Sequence, residues 1–280
     1  MAYDYSLLNV EIEGRLATVT VNNPPINLIN RELYGELSGL AAELNRDRTL
    51  TVVVVKSADP EFFLAHFDVS AILKFSTDDE PRRSHEINDY HLMCERFRTM
   101  DKVTIAQIEG RVGGGGSELA SGFDMRFGVR GKTKINQMEV PLGILPGGTG
   151  TQRLPRVVGR ARAMEIILGG DDLDAETAER WGYLNRIFEA DEIGSFVSGL
   201  ARRIASFPPT AVRLAKEAIN SADKPLPEGL SDEAYLFART LRADGAQRNM
   251  QRFLEIGGQT REGELRMGEL CGQLGEEAQS

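Results

Sequence analysis

The chain is poor in cysteine, histidine and tryptophan. Its two cysteines, Cys94 and Cys271, stand far apart among 280 residues, which rules out a disulfide framework or a thiolate metal site and predicts a reducing compartment. The three histidines, His66, His85 and His91, show no metal-ligand spacing, and no Ser-His-Asp arrangement emerges. Nucleophilic and metal-assisted catalysis therefore lack their usual carriers, and no metal is expected. No apolar run is long enough to span a bilayer. The N-terminal stretch MAYDYSLLNVEIEGRLATVTV passes directly into strand alternation without the basic and apolar regions of a signal peptide. These absences predict a cytoplasmic protein with no membrane partner. Positive charge is also short, 33 Lys and Arg against 42 Asp and Glu for a net charge of −9. That balance argues against nucleic acid as the main partner, but leaves room for one anionic ligand on a local basic patch.

What the chain does have is apolar residues enough for a sizeable core, 41% of the total, and strand and helix signals that alternate over the first ~200 residues. Alternation on either side of Glu13-Gly14 predicts a hairpin. Leu28, Leu33, Leu37, Leu40 and Leu44 predict a helix over about 28–46. LTVVVVKS and KVTIAQIEG read as buried strands, DMRFGVR as a further strand, and ADPEFFLAHFD between them as a loop with an apolar interior. A helix is expected over about 78–100, with Ile87, Cys94 and Phe97 near one face, His85 and His91 on its surface or in packing, and Asp78, Asp79 and Glu80 as its solvated start. Trp181 and Tyr183 read as core. From Asp191 onward the signals are helical, with a boundary at SFPP, so residues 1–204 are expected as an α/β core and 205–280 as a helical region.

Three stretches could carry chemistry. The first, RVGGGGSELASGFD, puts Gly113–Gly116 between an entering strand and a departing helix that SELASG begins. Helix-start amides lack internal partners and carry the positive end of the dipole. The run lacks the Lys-Ser/Thr of a P-loop and the spacing of a dinucleotide fingerprint. It can serve as a tight packing crossing, or as an oxyanion site with Glu118 beside the reacting carbon. In the second, INQMEVPLGILPGGTGTQRLP, Glu139 lies among Ile135, Met138, Val140 and Leu142. Such surroundings raise a carboxyl group's pKa toward acid–base usefulness, although a solvated loop glutamate reads the same way. In the third, FFLAHFDVSAI, Asp68 reads as the N-cap of a short helix, and His66 as a structural loop histidine rather than a base.

In this order and spacing the three stretches resemble the crotonase superfamily, best known from enoyl-CoA hydratase. FFLAHFD is similar to the family's F-x-A-G-x-D segment, IEGRVGGGGSELASGFD to its glycine-rich segment ending E-L-A-x-x-x-D, and NQMEVPLGILPGGTGTQRLPRVVG to its P-E-x-x-L-G segment. The likeness spans about residues 8–220. His66 stands where the family has glycine, Met138 where it has proline, and the chain beyond about residue 240 departs from the family's ending. The resemblance implies a spiral of ββα repeats followed by a helical trimerisation region, as a homotrimer or a dimer of trimers. It implies an acyl-CoA thioester as substrate, with no cofactor besides the coenzyme A that the substrate carries. It puts two oxyanion donors on the backbone amides of Phe67 and Gly115, and the acid–base pair on Glu118 and Glu139.

The resemblance implies a hydro-lyase of fatty acid metabolism that adds water to a 2-enoyl-CoA, a reaction that two amides and two carboxylates suit. The alternatives are another crotonase reaction on an acyl-CoA, namely isomerisation, retro-aldol cleavage or hydrolysis, and a non-catalytic binding relative.

Overall fold

The computed structural model describes residues 3–78, 80, 82–243 and 245–276. The chain opens with the expected hairpin: β1 (Leu8–Glu13) and β2 (Leu16–Val21) pair antiparallel across a turn at Gly14 and Arg15. Helix α1 (Arg31–Arg46) buries Leu33, Leu37, Leu40 and Leu44 on one face. It begins three residues later than the apolar spacing suggests, because Asn30 caps it by accepting from the Leu33 amide and the preceding residues are bonded elsewhere. Asn27, 1% exposed, donates from Nδ2 to Ser57 Oγ and the Phe63 carbonyl and accepts at Oδ1 from the Asn23 amide.

Next come β3 (Val52–Ser57), β4 (Phe62–Leu64), α2 (Val69–Ile72) and α3 (Asp89–Thr99). Strand β4 lies inside a stretch expected to be loop; three residues are too few to show alternation. Helix α3 starts at Asp89 rather than near 78, because Asn88 accepts from the His91 amide and caps it there. Ile87 and His85 therefore precede the helix, and Ile87 is exposed. No helix begins at Asp78 or Glu80, and Asp79 lies outside the described residues.

The middle of the chain holds β5 (Val103–Ile108), β6 (Arg111–Gly113), α4 (Gly114–Ser121), β7 (Met125–Val129), β8 (Lys134–Asn136), α5 (Gly150–Val158) and α6 (Arg160–Gly169). Then follow β9 (Leu173–Asp174), α7 (Ala175–Trp181), β10 (Arg186–Phe188) and α8 (Ile193–Ser206). Tyr183 is fully buried as expected, whereas Trp181 is half-buried against the core with the Arg162 guanidinium 5.7 Å from its ring centre.

Two sheets result. One runs β1-β2-β3-β5-β7-β10 and the other β4-β6-β8-β9. The pairs β3/β4, β5/β6 and β7/β8 each send one strand to the first sheet and the next to the second before a helix returns the chain. This is the repeating ββα turn of a crotonase-like α/β spiral, and the pairings among these repeated strands are parallel, whereas β1/β2 and β8/β9, at the sheet edges, pair antiparallel. The unbroken valines of β3 follow from burial on both faces. Val53 and Val55 pack into the main core with the leucines of α1, while Val52 and Val54 meet Ile193, Val197 and Ala201 of α8.

Beyond α8 lie α9 (Pro209–Asn220), α10 (Leu226–Thr240), α11 (Ala246–Glu255), α12 (Arg261–Glu264) and α13 (Met267–Glu276). Lys216 of α9, 8% exposed, anchors this region: its Nζ is 2.8 Å from Asp124 Oδ2 and donates to the Lys102 carbonyl at 2.7 Å. Asp124 also accepts from the Thr104 amide, which gives the aspartate that ends the glycine-rich motif a structural task.

Candidate active site

The glycine run is not a loop ahead of the helix. Gly113 ends β6, and Gly114, Gly115 and Gly116 form the first turn of α4, so the helix starts three residues before Ser117. Close approach explains the glycines. A Cβ built on Gly116 would lie 2.5 Å from the Leu64 carbonyl oxygen of β4, so any side chain there would push the strand away. Gly114 has φ +42°, a conformation costly for other residues, and a Cβ on it would fall 2.9 Å from Glu139 Oε1 and 3.0 Å from His66 Cβ. The first-turn amides of α4 have no intrahelical acceptor, and the Gly115 amide is among them.

The second amide is set by a β-bridge between Ile29 and Phe67. Ile29 donates to the His66 carbonyl at 2.9 Å and accepts from the Asp68 amide at 3.0 Å. In a parallel bridge those flanking groups do the bonding, and the groups of Phe67 itself point the other way. The Phe67 carbonyl meets His66 Nδ1 at 2.8 Å, and the Phe67 amide has no acceptor among the described residues. It lies 3.3 Å from where a Cβ of Gly115 would be, so the two free amides adjoin. Asp68 closes the segment as the expected N-cap of α2, accepting from the Ser70 amide at 2.8 Å.

Glu118 and Glu139 both reach the cavity that these amides face. Glu118 stands one turn beyond Gly114, on the same side of α4. Its Oε1 accepts from the amides of Gly148 at 2.8 Å and Gly150 at 2.7 Å. Thr149, between them, has φ +114°, a strained value costing roughly 1–3 kcal/mol, and it separates two amides that converge on one oxygen. Glu139 follows β8, whose Asn136 pairs with Gly113, so sheet register brings it beside the glycine run. The Leu142 and Ile144 amides bond the Glu139 carbonyl at 3.0 and 3.1 Å, and Gln137 Nε2 donates to Glu139 Oε2 at 3.0 Å.

Both carboxyls are buried, at 4% and 8% exposure. Burial pushes the Glu118 group up to about 7; the nearby Glu139 charge adds to this, and the two amides oppose it. Burial also raises Glu139, against the pull of Gln137 and His66. Tyr90 of α3 was not anticipated from sequence. Its hydroxyl donates to the Gly115 carbonyl at 2.7 Å, and its ring stands edge-on to Phe67 at 5.6 Å and stacks on Tyr34 at 5.8 Å. Gln137 and the two amides on Glu118 were likewise missed. The PGGTG stretch reads in sequence as a bend that can start a helix, but nothing in it signals what its amides hold. His66 lines the cavity, and His91 Nε2 is 2.6 Å from the Gly147 carbonyl, tying α3 to the loop that grips Glu118. Both cysteines are free thiols, and no cluster of three or more potential metal ligands occurs among the described residues.

The arrangement offers two free amides for a developing negative charge and two buried carboxyls of raised pKa for proton transfer. The family model for enoyl-CoA hydratase/isomerase matches residues 11–261. A probable enoyl-CoA hydratase of Mycobacterium bovis is 31% identical over 253 residues, covering 90% of this chain and 96% of that protein. A crotonyl-CoA hydratase of Syntrophomonas wolfei is 31% identical over 261 residues, covering 91% and 96%. The crystal structure of an enoyl-CoA hydratase from Bacillus anthracis superposes with a TM-score of 0.82 at 27% identity, covering 89% and 96%. The chain is an enzyme of the enoyl-CoA hydratase/isomerase family, within the crotonase superfamily.

Proposed function

We propose that this enzyme adds water across the double bond of a 2-enoyl-CoA thioester. The observation that carries the reading is the meeting of two free backbone amides, of Phe67 and Gly115, with two buried carboxyls, of Glu118 and Glu139, in one cavity. Water attacks Cβ, and the electron pair of the double bond moves toward the thioester oxygen. The two amides hold the resulting enolate; each such donor is worth roughly 3–4 kcal/mol in the transition state.

Glu118 is the base. Two amides on Oε1 favour its ionised form and leave Oε2 to orient the water and take its proton. Glu139 is the acid that protonates Cα as the enolate collapses. Gln137 suits this role: its buried Oε1 has no partner among the described residues, and a turned-over amide would accept from the protonated carboxyl. Water has then added H and OH, and a proton passes from Glu118 to Glu139 through solvent to reset the pair.

No further cofactor is required, since coenzyme A belongs to the substrate. A cytoplasmic role in fatty acid metabolism is the setting this reading implies, and no helix among the described residues is long and apolar enough to cross a membrane. Exposed Leu226, Leu230, Phe237 and Leu254 on α10 and α11 support association through residues 205–280 as a homotrimer or dimer of trimers.

The test is loss of conjugated-thioester absorbance with crotonyl-CoA, beside Glu118→Gln and Glu139→Gln. Turnover is expected in the unmodified enzyme and should fall by two orders of magnitude or more in each variant, with acyl-CoA binding retained. Near-normal turnover in either variant would remove that residue from the mechanism. No turnover by the unmodified enzyme despite acyl-CoA binding would turn the reading toward isomerisation, retro-aldol cleavage or hydrolysis.

A further inference from the structure

The cavity has two unlike parts. Its floor carries the polar groups: the amides, the two glutamates and His66. Its rim is apolar on two sides. One lip is formed by Val69 and Ile72 of α2 and by Phe75 just after it; the other is formed by Leu142, Ile144 and Leu145. Phe75 is 64% exposed, Leu142 49%, Ile144 41% and Leu145 61%. Scattered exposed apolar residues are ordinary on a protein surface. Four large ones gathered around one cavity mark a surface that a ligand covers.

The lips grow from the segments that carry the chemistry. The first follows Phe67 after only Asp68. The second begins three residues after Glu139, and its Leu142 and Ile144 amides are bonded to the Glu139 carbonyl. A molecule whose thioester oxygen meets Phe67 and whose Cα meets Glu139 therefore continues into space bounded by these lips. Beyond the floor, Asp89 is the only charged side chain among the described residues lining the cavity. The volume is about 900 Å³, near the top of the usual range for ligand sites; it has to admit the pantetheine arm of the thioester as well as the acyl group, and the apolar lips suit the acyl chain better than an arm that carries two amides.

We propose that the acyl subsite is an open apolar channel between these lips and takes medium- to long-chain or bulky apolar acyl groups in preference to crotonyl. The inference rests on the acyl-CoA reading above and names its substrate class.

Saturated thioesters test it without turnover. Titration calorimetry with butanoyl-, octanoyl- and dodecanoyl-CoA, below their micellar concentrations, should show Kd falling about three- to fourfold per added methylene between the first two. Phe75→Ser and Ile144→Ser, at exposed positions outside the acid–base machinery, should erase most of that gain while leaving butanoyl-CoA binding unchanged. A Kd that is flat with chain length would overturn the proposal, as would variants that weaken all three thioesters alike. Variants that change the mass by light scattering and leave the length dependence intact would also overturn it, and would make the rim a subunit contact. Octanoyl-CoA binding without hydration of any enoyl-CoA would fail the hydration reading alone. Crotonyl-CoA hydration without length dependence would fail this inference alone, and no binding of any thioester would end both.

Discussion

Replacing Glu118 with glutamine should make the folded protein more stable as it disables the enzyme. The Glu118 carboxyl has its pKa raised from 4.5 to about 7, so the native state holds a proton that the unfolded chain releases. Below the unfolded value both states are protonated and burial carries no ionic penalty. As pH rises through the folded value, stability is lost. A gap of two to three pKa units at 1.36 kcal/mol per unit corresponds to about 3 kcal/mol. Exposure of 4% leaves little solvent screening to discount. Glutamine keeps an Oε1 that can accept from Gly148 and Gly150 but never ionises. Urea unfolding of both proteins at equal concentration should therefore show the variant's advantage growing by about 2–3 kcal/mol between pH 5 and pH 8, most of it gained between pH 5 and 7 and little above the folded value. An advantage independent of pH would refute the argument, because it would mean that Glu118 titrates in the folded protein as it does in water.

Two further perturbations probe the frame around the site. Tyr90→Phe removes the bond to the Gly115 carbonyl while keeping the ring contacts; stability should fall by about 1 kcal/mol and kcat by about tenfold with KM little changed, measured by urea unfolding and steady-state kinetics, and a change in KM alone would place the hydroxyl in substrate binding instead. Lys216→Met leaves Asp124 without its 2.8 Å partner and should cost about 3 kcal/mol, read as a lower urea midpoint; an unchanged midpoint would show that Thr104 alone holds Asp124.

The sequence made the long elements legible and the short ones not. Burial writes itself into α1 and β3 as periodicity, because four leucines share one helix face and the valines of β3 meet a core on each side. Strands β4, β6 and β8 have three residues each, fewer than a pattern needs, although they carry the turns that bring Phe67, Gly115 and Glu139 together. Helix α3 was overextended because charged residues before Asn88 resemble a first turn until the cap is identified. In the site, the glycine run and the two glutamates stood out through composition and order. Tyr90 did not, since an aromatic residue at a helix start reads alike whether it fills a core or bonds a carbonyl. Gln137 is two residues from Glu139, a spacing that shares a face only where the chain is extended, and nothing in the sequence marks the residues between β8 and the turn that starts at Glu139 as extended.

The division of labour between main chain and side chains bears on how such a protein can change over generations. Any residue except proline supplies a backbone N–H, so single substitutions at positions 67 and 115 leave the donor atoms in place and can only misdirect them. Glu118 and Glu139 have no such protection, and one nucleotide change can replace either. Under the proposed mechanism, lineages built on this frame can therefore exchange the proton-handling groups while the grip on a thioester oxygen persists. The vulnerability of that grip is displaced onto bystanders such as Ile29, Asn27 and Gly114, which never touch the oxygen but decide where the amides point.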